Sequence, residues 1–217
     1  MPIFDLSEQN SVLNTFVSEL RHVEIQDDPM RFRNNLVRIG EVMAYEISKV
    51  LVYSERNVKT PLGIHQSKLI EEKLVIGTIL RAGLPLHEGF LNYFDRSESA
   101  FVSAYRKYTD KEHFEIHVEY ISSPDVDGKT LILVDPMLAT GASFELAYKA
   151  ILKKGTPTNV HFASVIASND GIEYLRNKLD FAKINLWCAA IDPVLNSKSY
   201  IVPGLGDAGD LAYGEKS

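Results

Sequence analysis

The spacing of apolar and polar residues changes about a third of the way along the chain. Before that point Val12, Leu13, Phe16, Val17 and Leu20 recur at helical spacing after a potential cap at Ser7. Phe32, Leu36, Ile39, Met43, Ile47 and Val50 continue the spacing after Pro29. From Leu74 onward, apolar runs of strand length ("LVIGTIL", "AFVSAY", "LILVD", "VHFASVIA", "INLWCAAI") alternate with helical stretches such as "LPLHEGFLNYF", "SFELAYKAILKKG" and "GIEYLRNKL". That alternation predicts an α/β fold, a mostly parallel sheet flanked by helices on both faces. The "FEIHVEYIS" segment differs: Phe114, Ile116, Val118 and Tyr120 alternate with polar residues, as in a half-exposed strand on a hairpin arm or a sheet edge.

No repeat, low-complexity tract or Pro/Gly-rich linker divides the sequence. A single domain over residues 1–217 is therefore expected, with a helical N-terminal part to about residue 58, a β-arm over about 105–123 and a glycine-rich C-terminal segment over 200–210. The arm predicts a homodimer or larger assembly.

Composition narrows the function classes. The protein has 217 residues, 45% of them hydrophobic, enough for a sizeable core. No apolar run approaches the roughly 20 residues that span a bilayer, and "MPIFDLSEQN" does not resemble a secretory signal, so no membrane partner and a cytoplasmic location are expected. A formal charge of −6 argues against nucleic-acid binding, which needs a basic footprint. It leaves room for a small anionic substrate held by oriented amides and a few arginines. The single cysteine, Cys188, sits in an apolar run and reads as core filling. The six histidines are scattered. His113 and His117 share strand parity, but an exposed strand face is the simpler reading than a metal pair.

Two short stretches carry the candidate chemistry. In "LILVDPMLATGAS" a buried strand, Leu131 to Val134, runs into Asp135 and Pro136 and then into small residues before a helix that ends in Lys153, Lys154 and Gly155. The turn thus lies at the carboxyl end of a parallel strand and the start of a helix, where ligands bind in open α/β sheets. Free amides there attract an anion, Ala139, Gly141 and Ala142 admit a close backbone approach, and Thr140 and Ser143 add hydroxyls. An ordinary turn with Thr140 or Ser143 merely capping the helix has equal standing on these residues alone. Neither a Walker loop nor a Rossmann fingerprint fits the glycine and lysine spacing. The second stretch, "YIVPGLGDAGD", is glycine-rich in a region where proteins often fray.

Taken with "ILRAGL" at Ile79 to Leu84, these stretches resemble the type I phosphoribosyltransferases. "VDPMLATGAS" is similar to their phosphoribosyl-diphosphate (PRPP) loop in the Asp-Pro form of the uracil phosphoribosyltransferase family. "ILRAGL" resembles the diphosphate-contacting loop and "YIVPGLGDAGD" the uracil-binding segment, in the family's order. The sequence departs from the family pattern at Pro85, Leu86 and Ala142, and in "RKYTDKEH" after Arg106.

The resemblance implies a reaction of uracil with PRPP to give UMP and diphosphate, with Mg²⁺ carried on the diphosphate and no metal site from the protein alone. It implies Arg81 and Arg106 on the diphosphate, Asp135 on the ribose hydroxyls, and Pro136, Met137, Leu138, Ala139, Thr140, Gly141, Ala142 and Ser143 around the 5′-phosphate. Asp135, Arg81 and Arg106 are the catalytic candidates. Tyr200, Ile201, Gly206 and Ala208 would line the uracil, and Asp207 would face both the base and PRPP with its metal. A GTP effector, found in only some relatives, stays open. Of two rival readings on the same fold, an RNA-binding regulator is disfavoured by the acidic composition, the lack of a basic stripe and the complete uracil segment, and an inactive paralogue is left open by Pro85 and Ala142.

Overall fold

The computed structural model describes residues 2–108, 114–180 and 183–215, and leaves the side chains of 104–108 and 114–118 outside the description. A short strand β1 (Ile3–Asp5) precedes helices α1 (Val12–Arg21) and α2 (Pro29–Ser48), and a hairpin of β2 (Tyr53–Thr60) and β3 (Gly63–Ile70) follows. Then come β4 (Leu74–Leu80), α3 (Gly83–Tyr93), β5 (Glu98–Tyr108), β6 (Phe114–Ser122), β7 (Thr130–Leu138), α4 (Ala142–Ile151), β8 (Asn159–Ser168), α5 (Asn169–Lys178) and β9 (Ile184–Asp192). A two-stranded pair, β10 (Val194–Leu195) and β11 (Ile201–Val202), and α6 (Ala208–Tyr213) complete the fold.

Seven strands form one sheet in the order β1-β9-β8-β7-β4-β5-β6, parallel throughout except for β6, which runs antiparallel to β5 at the edge. The expected α/β architecture is thus present. Each face buries its own apolar cluster. Leu36, Met43, Leu86, Ile132 and Trp187 lie on the side of α1, α2 and α3; Phe144, Leu175, Leu131, Phe162 and Cys188 lie on the side of α4 and α5. Burial pushes the Cys188 thiol well above its usual range, as suits an inert core residue. His161 is also a core residue. It accepts a hydrogen bond from the Trp187 indole at 3.1 Å, and desolvation pushes its pKa down to about 4. No helix among the described residues is long and apolar enough to cross a membrane.

The structure corrects several boundaries. The cap of α1 is Ser11, whose hydroxyl accepts from the Leu13 amide; Ser7 instead lies in a 3₁₀ turn held by Asp5. The N-terminal helices end at Ser48 rather than near residue 58, because residues 53–70 form the β2–β3 hairpin. Among the described residues that hairpin is paired only with itself, and it leaves Leu62, Ile64, Val58 and Leu69 exposed. Its turn at 61–62 and mixed polar run hide it from a periodicity reading. The predicted arm over 105–123 belongs to a longer β5–β6 pair, in which β5 starts at Glu98 and its pairing with β6 at Phe101. The side chains of Phe114, Ile116, Val118, His113 and His117 lie outside the described residues, and with them the metal-pair reading.

Candidate active site

The sheet reverses its winding between β4 and β7. The path leaves β4 toward β5 on one side, and leaves β7 toward β8 and β9 on the other. The carboxyl ends of these two central strands therefore open a crevice, the place where α/β sheets bind ligands. Arg81 follows β4, and Asp135 to Gly141 lie at the end of β7.

Helix capping separates this crevice from the rest of the molecule. Of the six α-helices among the described residues, α1, α2, α5 and α6 are each capped by a side group: Ser11, Asp28, Ser168 and Asp207. The two that start at the crevice, α3 after Ala82 and α4 after Gly141, have no cap from a side chain. At α4 the Ser143 and Phe144 amides are left for an anion, and at α3 the Gly83 amide, since Leu84 N–H turns back to the Arg81 carbonyl at 3.2 Å and Pro85 has none; the positive ends of both helix dipoles lie behind them. This favours the cradle over the capped-turn reading of Thr140 and Ser143, since Thr140 Oγ1 reaches the Ala142 amide only at 3.5 Å.

The β7 turn is tighter than the sequence suggested. Strand β7 continues through Asp135, Pro136 and Met137 to Leu138, still paired with β8, so only Ala139, Thr140 and Gly141 form the loop. Pro136 comes after Val134, the last residue paired with β4, and its missing N–H leaves no gap in that ladder. Gly141 has φ 81°, and a Cβ there would stand 2.9 Å from both the Gly171 carbonyl and Tyr174 Cδ1. Buried Ser168 braces the loop from behind: its hydroxyl donates to the Ala139 carbonyl at 2.6 Å and accepts from the Gly171 amide at 2.9 Å. A Cβ on Gly171 would meet the same Ala139 carbonyl at 2.2 Å. Pro85, a departure from the family pattern, falls in the first turn of α3, where its missing N–H costs no helix bond.

Asp135 is part-buried and its Oδ1 accepts from the Met137 amide at 3.0 Å. Desolvation, helped by the nearby charge of Asp207 and opposed by the Met137 bond, pushes its carboxyl up to about 7. Asp207 caps α6 through Oδ1, which accepts from Gly209 at 2.8 Å and Asp210 at 3.0 Å. This leaves the Ala208 N–H outside that cap. Arg81 ties the "ILRAGL" turn to the C-terminal segment: its Nη2 donates to Asp210 Oδ1 at 3.2 Å and to the Gly214 carbonyl at 3.3 Å. The structure thus brings Arg81, Asp135, the β7 turn and the Asp207 segment together. Arg106 stands on β5 in register with Ile116, its side chain outside the described residues.

Ile201 is buried on β11, and Gly204 and Gly206 take positive φ values of 60° and 93° that a side chain would strain. A Cβ on Gly204 would lie 2.1 Å from the Ile201 carbonyl. Tyr200 uses its backbone locally, its carbonyl accepting from Asn196 N at 2.9 Å and its N–H donating to Asn196 Oδ1 at 3.0 Å, so only its side chain is left to face a ligand.

Sequence reasoning missed the residues that hold this segment. Arg21 of α1 forms a bidentate pair with Asp192 (2.7 and 2.8 Å) and donates to the Gly204 carbonyl at 3.0 Å, while Asp192 also accepts from the Gly204 amide at 2.8 Å. With its amide turned so that the nitrogen faces the carbonyl, Gln26 donates to Leu205 at 2.8 Å, and Arg33 donates to the Ala212 carbonyl at 2.7 Å. The N-terminal helices therefore clamp the glycine-rich segment over the crevice. Partners 171 residues apart leave no local signal.

A parallel sheet whose two central strands end in an acid-tipped small-residue turn and an arginine turn, with a glycine-rich segment folded over both, defines a type I phosphoribosyltransferase. Within that class, residues 7–215 match the profile of uracil phosphoribosyltransferase, and the protein belongs to that family. It is 58% identical to the uracil phosphoribosyltransferase of Porphyromonas gingivalis, with 100% of both sequences covered. To that of Pyrococcus furiosus it is 36% identical, over 96% of its own length and 88% of the relative. Among solved structures, the AQ2163 protein from Aquifex aeolicus superposes with a TM-score of 0.87 at 32% identity, covering 98% of each.

Proposed function

We propose that the protein transfers the 5-phosphoribosyl group of PRPP to uracil, giving UMP and diphosphate, as a pentosyltransferase of pyrimidine salvage. The observation that carries the reading is the pair of helix starts left uncapped by any side chain at the β4–β7 crevice, two anion sites for a substrate with phosphate at each end. The α4 start and the residues from Pro136 to Ser143 take the 5′-phosphate. The α3 start, Arg81 and Arg106 take the diphosphate.

In the reaction the bond from C1′ to the diphosphate oxygen breaks with its electron pair leaving on diphosphate. Uracil N1 bonds to C1′, and its proton passes to solvent water. Positive charge grows on the ribosyl ring and negative charge on the leaving group, so positioning and electrostatics dominate. Asp135 accepts from the ribose hydroxyls and sets its carboxylate beside the cationic ring. Backbone groups of Ile201, Gly206 and Ala208 read the uracil edge, with Tyr200 alongside.

Mg²⁺ fits this site only in company with PRPP. Among the described residues no group of three or more His, Cys, Asp or Glu could hold a metal. Asp207, whose charge already opposes that of Asp135, offers a hard oxygen donor, and phosphate oxygens and water would complete the shell. The ion supplies charge neutralisation on the diphosphate. A phosphorylated donor that does not cross membranes is consistent with a cytoplasmic reaction.

Incubating the protein with PRPP, Mg²⁺ and a panel of bases, with diphosphate release followed, tests the reading. Release with uracil is expected; release with no base, or binding of RNA in its place, counts against it. Running the assay with and without GTP tests the effector reading. Arg81→Lys should keep the fold but lower kcat/KM for PRPP by about 10- to 100-fold, because an ammonium loses the planar fork whose charge-assisted bonds hold diphosphate. Equal kinetics would remove Arg81 from diphosphate binding. The homo-oligomer reading is better supported by the β2–β3 hairpin than by β6: an isolated two-stranded hairpin with exposed Leu62 and Ile64 is marginal without a second copy to pack on. Light scattering at micromolar concentration should give a dimer or larger species.

A further inference from the structure

Among the described residues, three buried polar atoms of side groups have no hydrogen-bond partner: Thr78 Oγ1, Arg81 Nε and His87 Nε2. All three lie on the β4–α3 unit that carries the arginine turn. Buried polar groups are nearly always paired, so this concentration calls for a cause. Arg81 has one in its anionic ligand. The His87 ring already bonds the Ile76 backbone, and burial lowers its pKa, keeping it neutral against Phe101. Thr78 is unexplained.

Thr78 is fully buried, in register with Val134 of β7 and Phe101 of β5. Its hydroxyl lies directly beneath the turn: a Cβ added to Gly83 would stand 2.2 Å from Thr78 Oγ1 and 3.3 Å from the Val134 carbonyl. Nothing larger than a hydrogen fits between the backbone at Gly83 and the hydroxyl. A valine would fill the same space with no polar atom to desolvate, so the oxygen is a cost to the fold unless a partner reaches it.

We propose that Thr78 is a positioning residue for the diphosphate, its hydroxyl donating to a backbone carbonyl of the Arg81–Gly83 turn when the turn's N–H groups close on the anion. The Arg81–Ala82 and Ala82–Gly83 peptides are trans, so in each the C=O points opposite to the N–H. Ala82 and Gly83 amides aimed outward at diphosphate therefore drive the Arg81 and Ala82 carbonyls inward, where Thr78 is the donor beneath them; the Arg81 carbonyl, which accepts from the Leu84 amide at 3.2 Å, keeps a second lone pair for it. The bond fixes the amides' direction without touching the ligand. This rests on the assignment of the turn to diphosphate made above.

The test pairs Thr78→Val with Thr78→Ser, reading thermal unfolding without ligand and titration of Mg²⁺-diphosphate by calorimetry. The valine variant is expected to melt about 2–4 °C higher, having shed an unpaired hydroxyl, yet to bind diphosphate about tenfold more weakly. The KM for uracil should be unchanged. The serine variant should melt lower for its missing methyl but keep wild-type affinity. Opposite signs in stability and affinity are what a packing role cannot produce. Wild-type affinity in Thr78→Val, or parallel losses of stability and affinity in both variants, overturns the proposal. A wild-type protein that binds no diphosphate removes the assignment of the turn and the proposal with it.

Discussion

Asp135→Asn is expected to lower kcat about 100- to 1,000-fold at pH 8 with the fold intact, the range that removal of one preorganised electrostatic contact produces. The amide is nearly isosteric, and its carbonyl oxygen can still accept from the Met137 N–H that Asp135 Oδ1 now binds. What it lacks is charge where the ribosyl cation develops. Stability should move the other way. Desolvation and Asp207 raise the Asp135 pKa to about 7, so between the ordinary carboxylate range and that value the folded state resists an ionisation that the unfolded state allows. At pH 8 the charged carboxylate costs the fold stability, and the asparagine variant should melt slightly higher. The same shift predicts that kcat/KM for PRPP, which reports the free enzyme, falls as pH drops through about 7, and that the variant loses this acid limb. Measuring the pH profile and melting curve of both proteins checks all three; wild-type turnover in the variant removes Asp135 from the mechanism.

Uracil should be preferred over cytosine by roughly 10⁴-fold in kcat/KM, the scale reached when a mismatched base leaves buried polar groups unpaired. Uracil presents an acceptor at O4 and a donor at N3, and cytosine reverses both. A backbone N–H, as at Ala208 beyond the Asp207 cap, and a backbone carbonyl cannot exchange roles by rotating, as the amide of an asparagine or glutamine can. Nor can the segment shift to adapt. The Arg21–Asp192 pair grips Gly204 from both its N–H and its C=O, and Gln26 holds Leu205. Similar kcat/KM values for the two bases would overturn both backbone readout and the assignment of residues 200–210 to the base.

The helices and strands are legible where burial writes a period into the sequence. Leu13 to Leu20 and Phe32 to Ile47 face a core every third or fourth residue, and "LILV" and "VHFASVIA" are buried throughout because helices cover both faces of the sheet. The β2–β3 hairpin has no such covering, so its apolar residues fall without a period, and a helical reading runs on to residue 58 where the last helix ends at Ser48. Strand β7 outlasts its apolar run because pairing with β8 carries the strand through Asp135 and Pro136.

The site divides in the same way. Sequence alone determined which turns are candidates for the chemistry, since an anion cradle needs small residues, an acid or an arginine at a strand end, and those needs are met within a dozen or so consecutive positions. Tertiary structure alone decided that the turns after β4 and β7 share one crevice, because strand order is a long-range pairing that leaves no trace in either turn. It also decided that Ser168 braces Ala139, that Arg21 and Asp192 hold Gly204, and that Thr78 lies unpaired under Gly83. Each of these depends on a hydrogen-bond partner, or the lack of one, brought within about 3 Å by folding, and a hydroxyl or guanidinium in a sequence does not say which distant group it will meet.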